Sequence, residues 1–548
     1  MSQTVDAVVV GAGPNGLVAA NALTDAGWSV LVLEQQPEPG GAVRSDEAVR
    51  PGWVHDTFSS YYPLAAASAV ITGLRLEEHG LRWRRAPAVL GHPRPDGSWA
   101  VLHPDREVTA AGMDAQHPGD GDRWLELCRQ WDAVGDELVQ ALTTPFPPLR
   151  HGLGVLARLP RAGGLPFVRT LLTPAVDLAG GFGGEGPGLL LAGNAAHADI
   201  PLDAAGSGLM GLLLVMLGQT VGFPVPEGGA GQLTRALVRR LEAGGGELRC
   251  STRVSRVEVR RGRAVAVRTE HGERIAVTRA VLADVVAPAL YGDLLAPEDV
   301  PARTARAMRQ FQLDHATIKV DWALDGPVPW RSAPPYAPGT VHVADSLSEM
   351  RRSLGQLADG TVPADPFLLV GQTTTADPTR SPAGTEALWA YTHVPQPSAR
   401  TADAGADRGE PRVHGRWDRD DCERFADRMQ ARLERLAPGF GDRVLDRRVL
   451  GPRELEARDA NLRGGAINGG TAQLHQQLVF RPVPGWGRAS TPVQGLFLAS
   501  ASAHPGGGVH GAPGMNAARG ALAAARTGRL PRLPVAAPSP RQVHRPDS

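Results

Sequence analysis

Residues Asp6 to Glu34 read DAVVVGAGPNGLVAANALTDAGWSVLVLE. A buried β run leads into a glycine turn, an apolar helix closed by Gly27, and a second buried strand. Gly11, Gly13 and Gly16 fit G-x-G-x-x-G. Gly11 permits the tight turn, Gly13 lets the backbone approach a pyrophosphate, and Gly16 packs the helix against the strand. The helix N-terminus then faces the phosphate charge. Glu34 ends the second strand, where its carboxylate can accept hydrogen bonds from ribose hydroxyls. The same spacing recurs at Gly181–Gly186 and Gly506–Gly511. Only the first match follows a convincing strand, opens a helix and has an acid closing the next strand, and the Gly181 match reads as a loop.

The chain has 548 residues, enough to bury a large core, and its 57 Lys plus Arg balance 57 Asp plus Glu. Nothing in that balance suggests nucleic acid as a partner, which would need a basic face. Cys128, Cys250 and Cys422 are far apart and contain no CxxC, so neither a zinc site nor a disulfide framework is expected. Reduced cysteines and an N-terminus that enters a strand without a signal-peptide pattern point to the cytoplasm. The longest apolar stretch, GLMGLLLVMLG from Gly208 to Gly218, is too short to span a bilayer and reads as a buried helix.

Further along, PEGGAGQLTRALVRRLEAGGGELRCSTRVSRVEV places a glycine-led helix before alternating strands. Near the end, GLFLASASAHPGGGVHGAPGMNAARGAL runs from a strand through a glycine-rich turn into an Ala-rich helix. After Glu34 comes a loop with Gly40, Gly41 and Arg44, which is not part of a plain NAD fingerprint. With these segments the sequence resembles the FAD-binding oxidoreductases of the amine oxidase and phytoene desaturase superfamily. The His-Pro-Gly-Gly-Gly form places it nearest the branch named after pyridine nucleotide-disulphide oxidoreductase domain-containing protein 2.

The resemblance implies FAD as cofactor. It implies that Gly41 and Arg44 lie along the pyrophosphate and ribityl chain and that the Val254 backbone meets the adenine. It also places Gly507, Gly508, Gly514, Met515 and Asn516 beneath the isoalloxazine. One long cofactor is then held by both ends of the chain. The sequence departs from the family at ASASA, Ala499–Ala503, where a carboxylate is absent and Ser500 or Ser502 would have to take its place on the ribityl hydroxyls.

The expected fold is α/β: a discontinuous Rossmann-like FAD-binding domain (1–60, 227–290 and 490–529) with an inserted α+β substrate domain (61–226 and 291–489). The polar stretch 400–416 reads as a mobile surface insertion and the Pro-rich tail 530–548 as disordered.

Lys319, in ATIKVDWAL, is the only lysine of the chain. It resembles the amine oxidase lysine that reaches flavin N5 through a water; the alternative is a survivor on a surface strand. His504 and His510 flank the glycine turn, either as acid/base groups or as shapers of the loop. His55 with Asp56, and His197 with Asp199, are further pairs that are either site or structure. No set of residues has metal-ligand spacing.

The resemblance therefore implies an FAD-dependent oxidoreductase, phytoene desaturase-like, that removes hydride from a small hydrophobic substrate, with oxygen or a quinone as electron acceptor. A flavin amine oxidase is the first alternative. It is disfavoured because none of the five tyrosines follows Tyr391, and Phe497 is the last aromatic. A low-turnover regulatory flavoprotein is the second. Between Arg150 and Val176, four arginines interleave with Leu, Val and Phe without an acid. That pattern suits either a peripheral membrane contact or interdomain packing.

Overall fold

The computed structural model describes residues 3–398 and 401–528. The disordered tail expected at 530–548 lies outside the described residues.

Two seven-stranded sheets organise the chain. The first is assembled from the beginning, middle and end of the sequence. Thr4–Val10 lies parallel to both Val30–Leu33 and Arg274–Ala283, Val30–Leu33 pairs with Glu247–Arg249, and Leu496–Leu498 joins the far edge of Arg274–Ala283. The antiparallel strands Val254–Arg260 and Arg263–Thr269 complete it. Parallel strands covered on both faces should be apolar throughout, and the residues of Val30–Leu33 are all buried.

Helices Pro14–Asp25, Gly231–Ala243 and Ala512–Thr527 share one core on one face of this sheet. Leu290, Tyr291, Leu294 and Trp486 pack on the other. Tyr62, Ile71, Leu74 and Leu76 belong to the first core, so this body continues past residue 60.

The second sheet runs in the order Val444–Leu450, Ala316–Leu324, Glu386–Val394, Leu368–Gln372, Pro338–Val343, Ala88–Pro93 and Trp99–Leu102. Ile318, Val320 and Trp322 pack into a core with Phe425, Met429 and Leu433 of helix Arg419–Leu436. The opposite side of Ala316–Leu324 carries Lys319, Asp321 and Ala323, and Ala323 shares a small cluster with Trp53 of the hairpin over 45–56. Helices Glu185–Ala195 and Ser207–Gly218 lie in a separate helical layer with Trp124, Trp131 and Phe167.

Within the stretch 400–416, expected as a mobile insertion, the described residues are packed. Its described residues pair Ala402–Asp403 with Thr361–Val362. Arg428 donates to the buried Asp403 carboxylate at 2.9 Å, and the same carboxylate accepts the Val413 amide. Val413 is fully buried. Ion pairs of Asp403 and Glu410 with Arg428 and of Arg408 with Asp365, together with the buried Val413, hold a segment whose composition is that of a loop.

Candidate flavin site

The two glycine segments, almost five hundred residues apart in sequence, meet on one body. Gly514 packs so tightly on Asn15 that a Cβ there would overlap the Asn15 carbonyl oxygen. A Cβ at Gly511 would lie 2.9 Å from Val18, and the Ser68 hydroxyl donates to the His510 carbonyl at 2.6 Å. The opening helix and the closing helix therefore lie side by side, with their glycine-rich N-terminal ends together.

A cavity of about 250 Å³ opens at the carboxyl ends of the parallel strands and is lined by Gly13, Glu34, Gly41, Val254, Asp284 and Asp459 among others. This is where a doubly wound sheet places its ligand. Gly40 donates its amide to the Ala12 carbonyl at 2.9 Å, and a Cβ on Gly41 would come within 3.1 Å of the Gly13 Cα. Gly41 has φ +53°, in the left-handed region that glycine enters without penalty. Two glycine backbones thus back onto each other and leave an open cradle beside them.

Glu34 accepts the amides of Ala12 and Gln36, each at 2.8 Å, which fixes its carboxylate at the cavity wall. Arg44 donates to the carbonyls of Gly41 and Arg458, at 3.0 and 2.6 Å, and stands over the Phe58 ring, so it braces the glycine loop. Val254 begins its strand beside Arg253, and both line the cavity.

Three groups at this end were not foreseen. Asp284, at the end of Arg274–Ala283, accepts the Gly16 amide at 2.8 Å. Burial pushes its carboxyl up to about 8. Asp459 and Asn461 come from a segment expected in the substrate domain. Burial raises Asp459 to about 6, while Asn461 donates to the Asp284 carbonyl and accepts the Val286 amide. Asp284 had a local signal, since acids closing a parallel strand beside a glycine turn are candidates by position. Asp459 had none.

At the other end, the turn 504–511 rests on the segment 467–471. A Cβ on Gly507 would lie 3.2 Å from the Asn468 carbonyl oxygen. Asp314 accepts the amides of Ile467 and Asn468. The fully buried Arg481 donates to the carbonyls of Asn468, Gly470, Thr471 and Ala501, and its Cζ lies 3.6 Å from a Cβ built on Gly506. Burial lowers this guanidinium to about 10, which leaves it charged at neutral pH. Neither Asp314 nor Arg481 carries a sequence signal, because both act on backbone groups.

His504 is held by Thr144, whose carbonyl lies 2.8 Å from Nε2. A carbonyl only accepts, so Nε2 carries the proton and the buried Nδ1 presents a lone pair with no protein partner. Burial holds the imidazole below its ordinary range, hence neutral. His510 accepts the Ala512 amide through Nδ1 and lies 3.1 Å from the Gly507 carbonyl through Nε2, so both nitrogens shape the turn. Asn516 donates to the Thr143 carbonyl at 3.2 Å, and Met515 is half-buried beside it. Ser502 is spent on the Gly469 carbonyl and the Ala287 amide, and Ser500 accepts the Ser502 amide.

Lys319 is buried on the face toward the hairpin. It pairs with Asp321, whose other oxygen takes Arg448 at 2.8 Å, and its Nζ lies 5.7 Å from the centre of the Trp389 ring. Burial lowers its ammonium pKa. Among the described residues, none of its partners belongs to the 504–516 turn. The other His/Asp pairs separate: His55 contacts the Trp322 carbonyl and Asp56 binds Arg380, while His197 contacts His342 and Asp199 binds Thr471.

The residues fit FAD at both ends. The cradle beside Gly13 and Gly41 is open to an extended phosphate chain, and two buried amide atoms around the closing turn lack protein partners: Asn15 Oδ1 and Asn468 Nδ2. Buried polar groups normally find partners, so this cluster suits a polar ligand.

Comparison with known proteins agrees. The NAD(P)-binding Rossmann-like domain family matches residues 9–72 and the flavin containing amine oxidoreductase family residues 156–393. Pyridine nucleotide-disulfide oxidoreductase domain-containing protein 2 of Rattus norvegicus is 29% identical, over 94% of this chain and 92% of its own. A limonene dehydrogenase subunit of Castellaniella defragrans is 23% identical over 94% of each chain. The lycopene-forming phytoene desaturase of Pseudescherichia vulneris is 25% identical over 92% of this chain and 96% of its own. Among solved structures, an oxidoreductase from Methanosarcina mazei superposes with a TM-score of 0.59 at 15% identity, covering 94% of this chain and 99% of that one. A wild-type putrescine oxidase bound to putrescine superposes at 0.56 and 19%, covering 96% and 100%; both likenesses speak for the fold. With its two glycine segments closing on one cleft, the chain is similar along most of its length to proteins of the FAD-dependent amine oxidase and phytoene desaturase-like superfamily and is an FAD-dependent oxidoreductase.

Proposed function

We propose that the protein removes hydride from a C–H bond of a hydrophobic substrate, desaturating or isomerising a carbon skeleton, with oxygen or a quinone as final acceptor. When bound, FAD supplies the hydride acceptor at N5 of its ring. Desaturation also requires a proton to leave the neighbouring carbon, whose C–H electron pair becomes the new double bond. The neutral His504, with Nε2 committed to Thr144 and Nδ1 bare, is the group suited to accept it.

The observation that carries the reading is the apolar interior of the substrate domain. Helices Glu185–Ala195 and Ser207–Gly218 have no charged side chain after Glu185 and are almost wholly buried. Relatives named as a limonene dehydrogenase subunit and a phytoene desaturase support the same substrate class. The amine oxidase alternative has one observation in its favour, the aromatic row Tyr61, Trp389 and Tyr391. An amine would be drawn to such faces by cation–π attraction, but the ammonium of Lys319 already stands over Trp389.

The test is anaerobic mixing of the yellow holoprotein with polyenes, cyclic terpenes and amines. Bleaching of the flavin by a hydrocarbon is expected. Peroxide release with amines alone would favour the oxidase, and a flavin left oxidised by every candidate would favour a regulatory flavoprotein. His504→Ala should keep the flavin spectrum while slowing bleaching about 10²-fold or more, the usual cost of losing a general base.

A further inference from the structure

The helix Leu149–Arg158 has no buried residue. Leu149, Leu153 and Leu156 follow the i, i+4, i+7 spacing of one helical face, a stripe that a globular protein normally turns inward. Here that stripe faces out. With Leu165 and Leu172 of the next long helix, Leu165–Leu172, these side chains are between 56% and 77% exposed.

A second segment extends the patch. Leu474, Leu478 and Phe480 are exposed as well. Gly206 joins the two, since its amide reaches the Leu172 carbonyl at 3.4 Å and a Cβ on it would lie 3.4 Å from the Leu474 side chain. At the other end, a Cβ on Gly487 would touch both Phe146, at 2.9 Å, and the Leu478 carbonyl, at 3.3 Å. Eight of the ten large apolar side chains exposed among the described residues thus fall in these two segments. Scattered singly they would mean nothing; gathered, they mark an interaction surface.

The run from Arg150 to Val176 that carries most of the leucines has four arginines and no acid. Arg150, Arg161 and Arg169 are exposed and, among the described residues, form no ion pair. Of the acids nearby, Glu137 takes Arg158 and His151 and Glu126 takes Arg129, while Asp136 is exposed and, among the described residues, forms no ion pair, and Asp177 is exposed in the recess described next. That recess, an open cavity of about 490 Å³ against Leu165–Leu172, is lined by Arg123, Arg169, Thr170 and Thr173 as well as Asp177.

We propose that this face docks on an anionic lipid bilayer, the leucines entering the acyl boundary and the arginines meeting phosphate headgroups. Exposed leucines flanked by arginines are the composition of an in-plane interfacial helix. A protein partner would need shape complementarity on the same apolar stripe but would not explain a run of arginines that alternates with the leucines and contains no acid. The face also borders the flavin turn: Thr144, five residues before the leucine helix begins at Leu149, accepts from His504, and Thr143 accepts from Asn516. A lipid-dissolved substrate would therefore arrive at the edge of the redox centre, although docking itself does not depend on which reaction is catalysed.

Full-length holoprotein sedimented with phosphatidylcholine vesicles containing about a third phosphatidylglycerol tests this. Binding is expected at low salt, weaker by about tenfold or more in high salt. Leu153→Asp with Leu165→Asp should weaken it about tenfold or more while the flavin spectrum stays unchanged. Arg150→Gln, Arg161→Gln and Arg169→Gln together should remove the preference for anionic over pure phosphatidylcholine vesicles. A wild-type protein left in the supernatant, or leucine variants that bind like wild type, would overturn the proposal. So would a concentration-dependent dimer that the leucine variants dissolve without any vesicle binding.

Discussion

Asp284 is a carboxyl group standing where an anionic diphosphate is expected. Its Oδ2 takes the Gly16 amide and would lie 2.7 Å from a Cβ on Gly13. Burial raises it from 3.8 to about 8, with the negative neighbours Asp459 and Glu34 adding to the effect. The native state therefore holds a proton that the unfolded chain has lost across that interval, so this group makes stability fall as pH rises from about 4 to about 8. Asp284→Asn should remove its share of that slope, at most about 1.4 kcal/mol per pH unit, the value for one proton. Urea unfolding of both proteins between these limits measures the difference. The same variant should retain FAD better at alkaline pH, since a neutral amide does not repel phosphate; equal FAD retention in both proteins would mean that Asp284 does not face the diphosphate.

At the scale of elements, the hairpin over 45–56 is clamped between the two sheets by buried charges. Arg380 reaches Asp56 at 3.0 Å and Asp377 at 3.2 Å, with all three side chains fully buried. Those carboxylates also accept the amides of Ala230 and Gly228, at the glycine turn that starts helix Gly231–Ala243. One guanidinium thus ties the second sheet to two segments of the first domain. Arg380→Met should cost about 3–5 kcal/mol in denaturant unfolding, because it strands two buried carboxylates. The opening and closing helices make a second element-scale prediction. Gly514→Ala places a methyl on the Asn15 carbonyl, and overpacking there should cost about 1–3 kcal/mol and release FAD on gel filtration. A variant that keeps both stability and flavin would show that the helices can separate without consequence.

Taken whole, the molecule closes its first sheet with its last residues. Leu496–Leu498 supplies the edge strand beside Arg274–Ala283, and Ala512–Thr527 covers the face shared with the opening helix. A chain ending at residue 489 should therefore leave Val18, Leu282 and neighbouring core residues bare, bind no flavin and aggregate, as judged by absorbance and light scattering. A yellow monomer from that truncation would contradict the closed body. Among the described residues, no helix is long and apolar enough to cross a membrane.

The sequence by itself determined the features whose cause is local. A turn that needs Gly11 and Gly13, a helix start and an acid at a strand end all lie within Asp6–Glu34, and the closing turn repeats the same backbone chemistry. The α/β class follows from them, whereas the pairing of the chain ends through one cofactor was what the family resemblance implied. What only the tertiary structure decided are the partners drawn from distant chain. Asp284 meets a glycine 268 residues away, Asp459 crosses from the inserted domain, and Arg481 answers carbonyls rather than side chains. It also turned a loop-like composition at 401–416 into a packed segment and set the leucines of 149–158 outward. Backbone dihedral demands are written residue by residue, whereas burial and charge pairing depend on which segments the chain brings together in space.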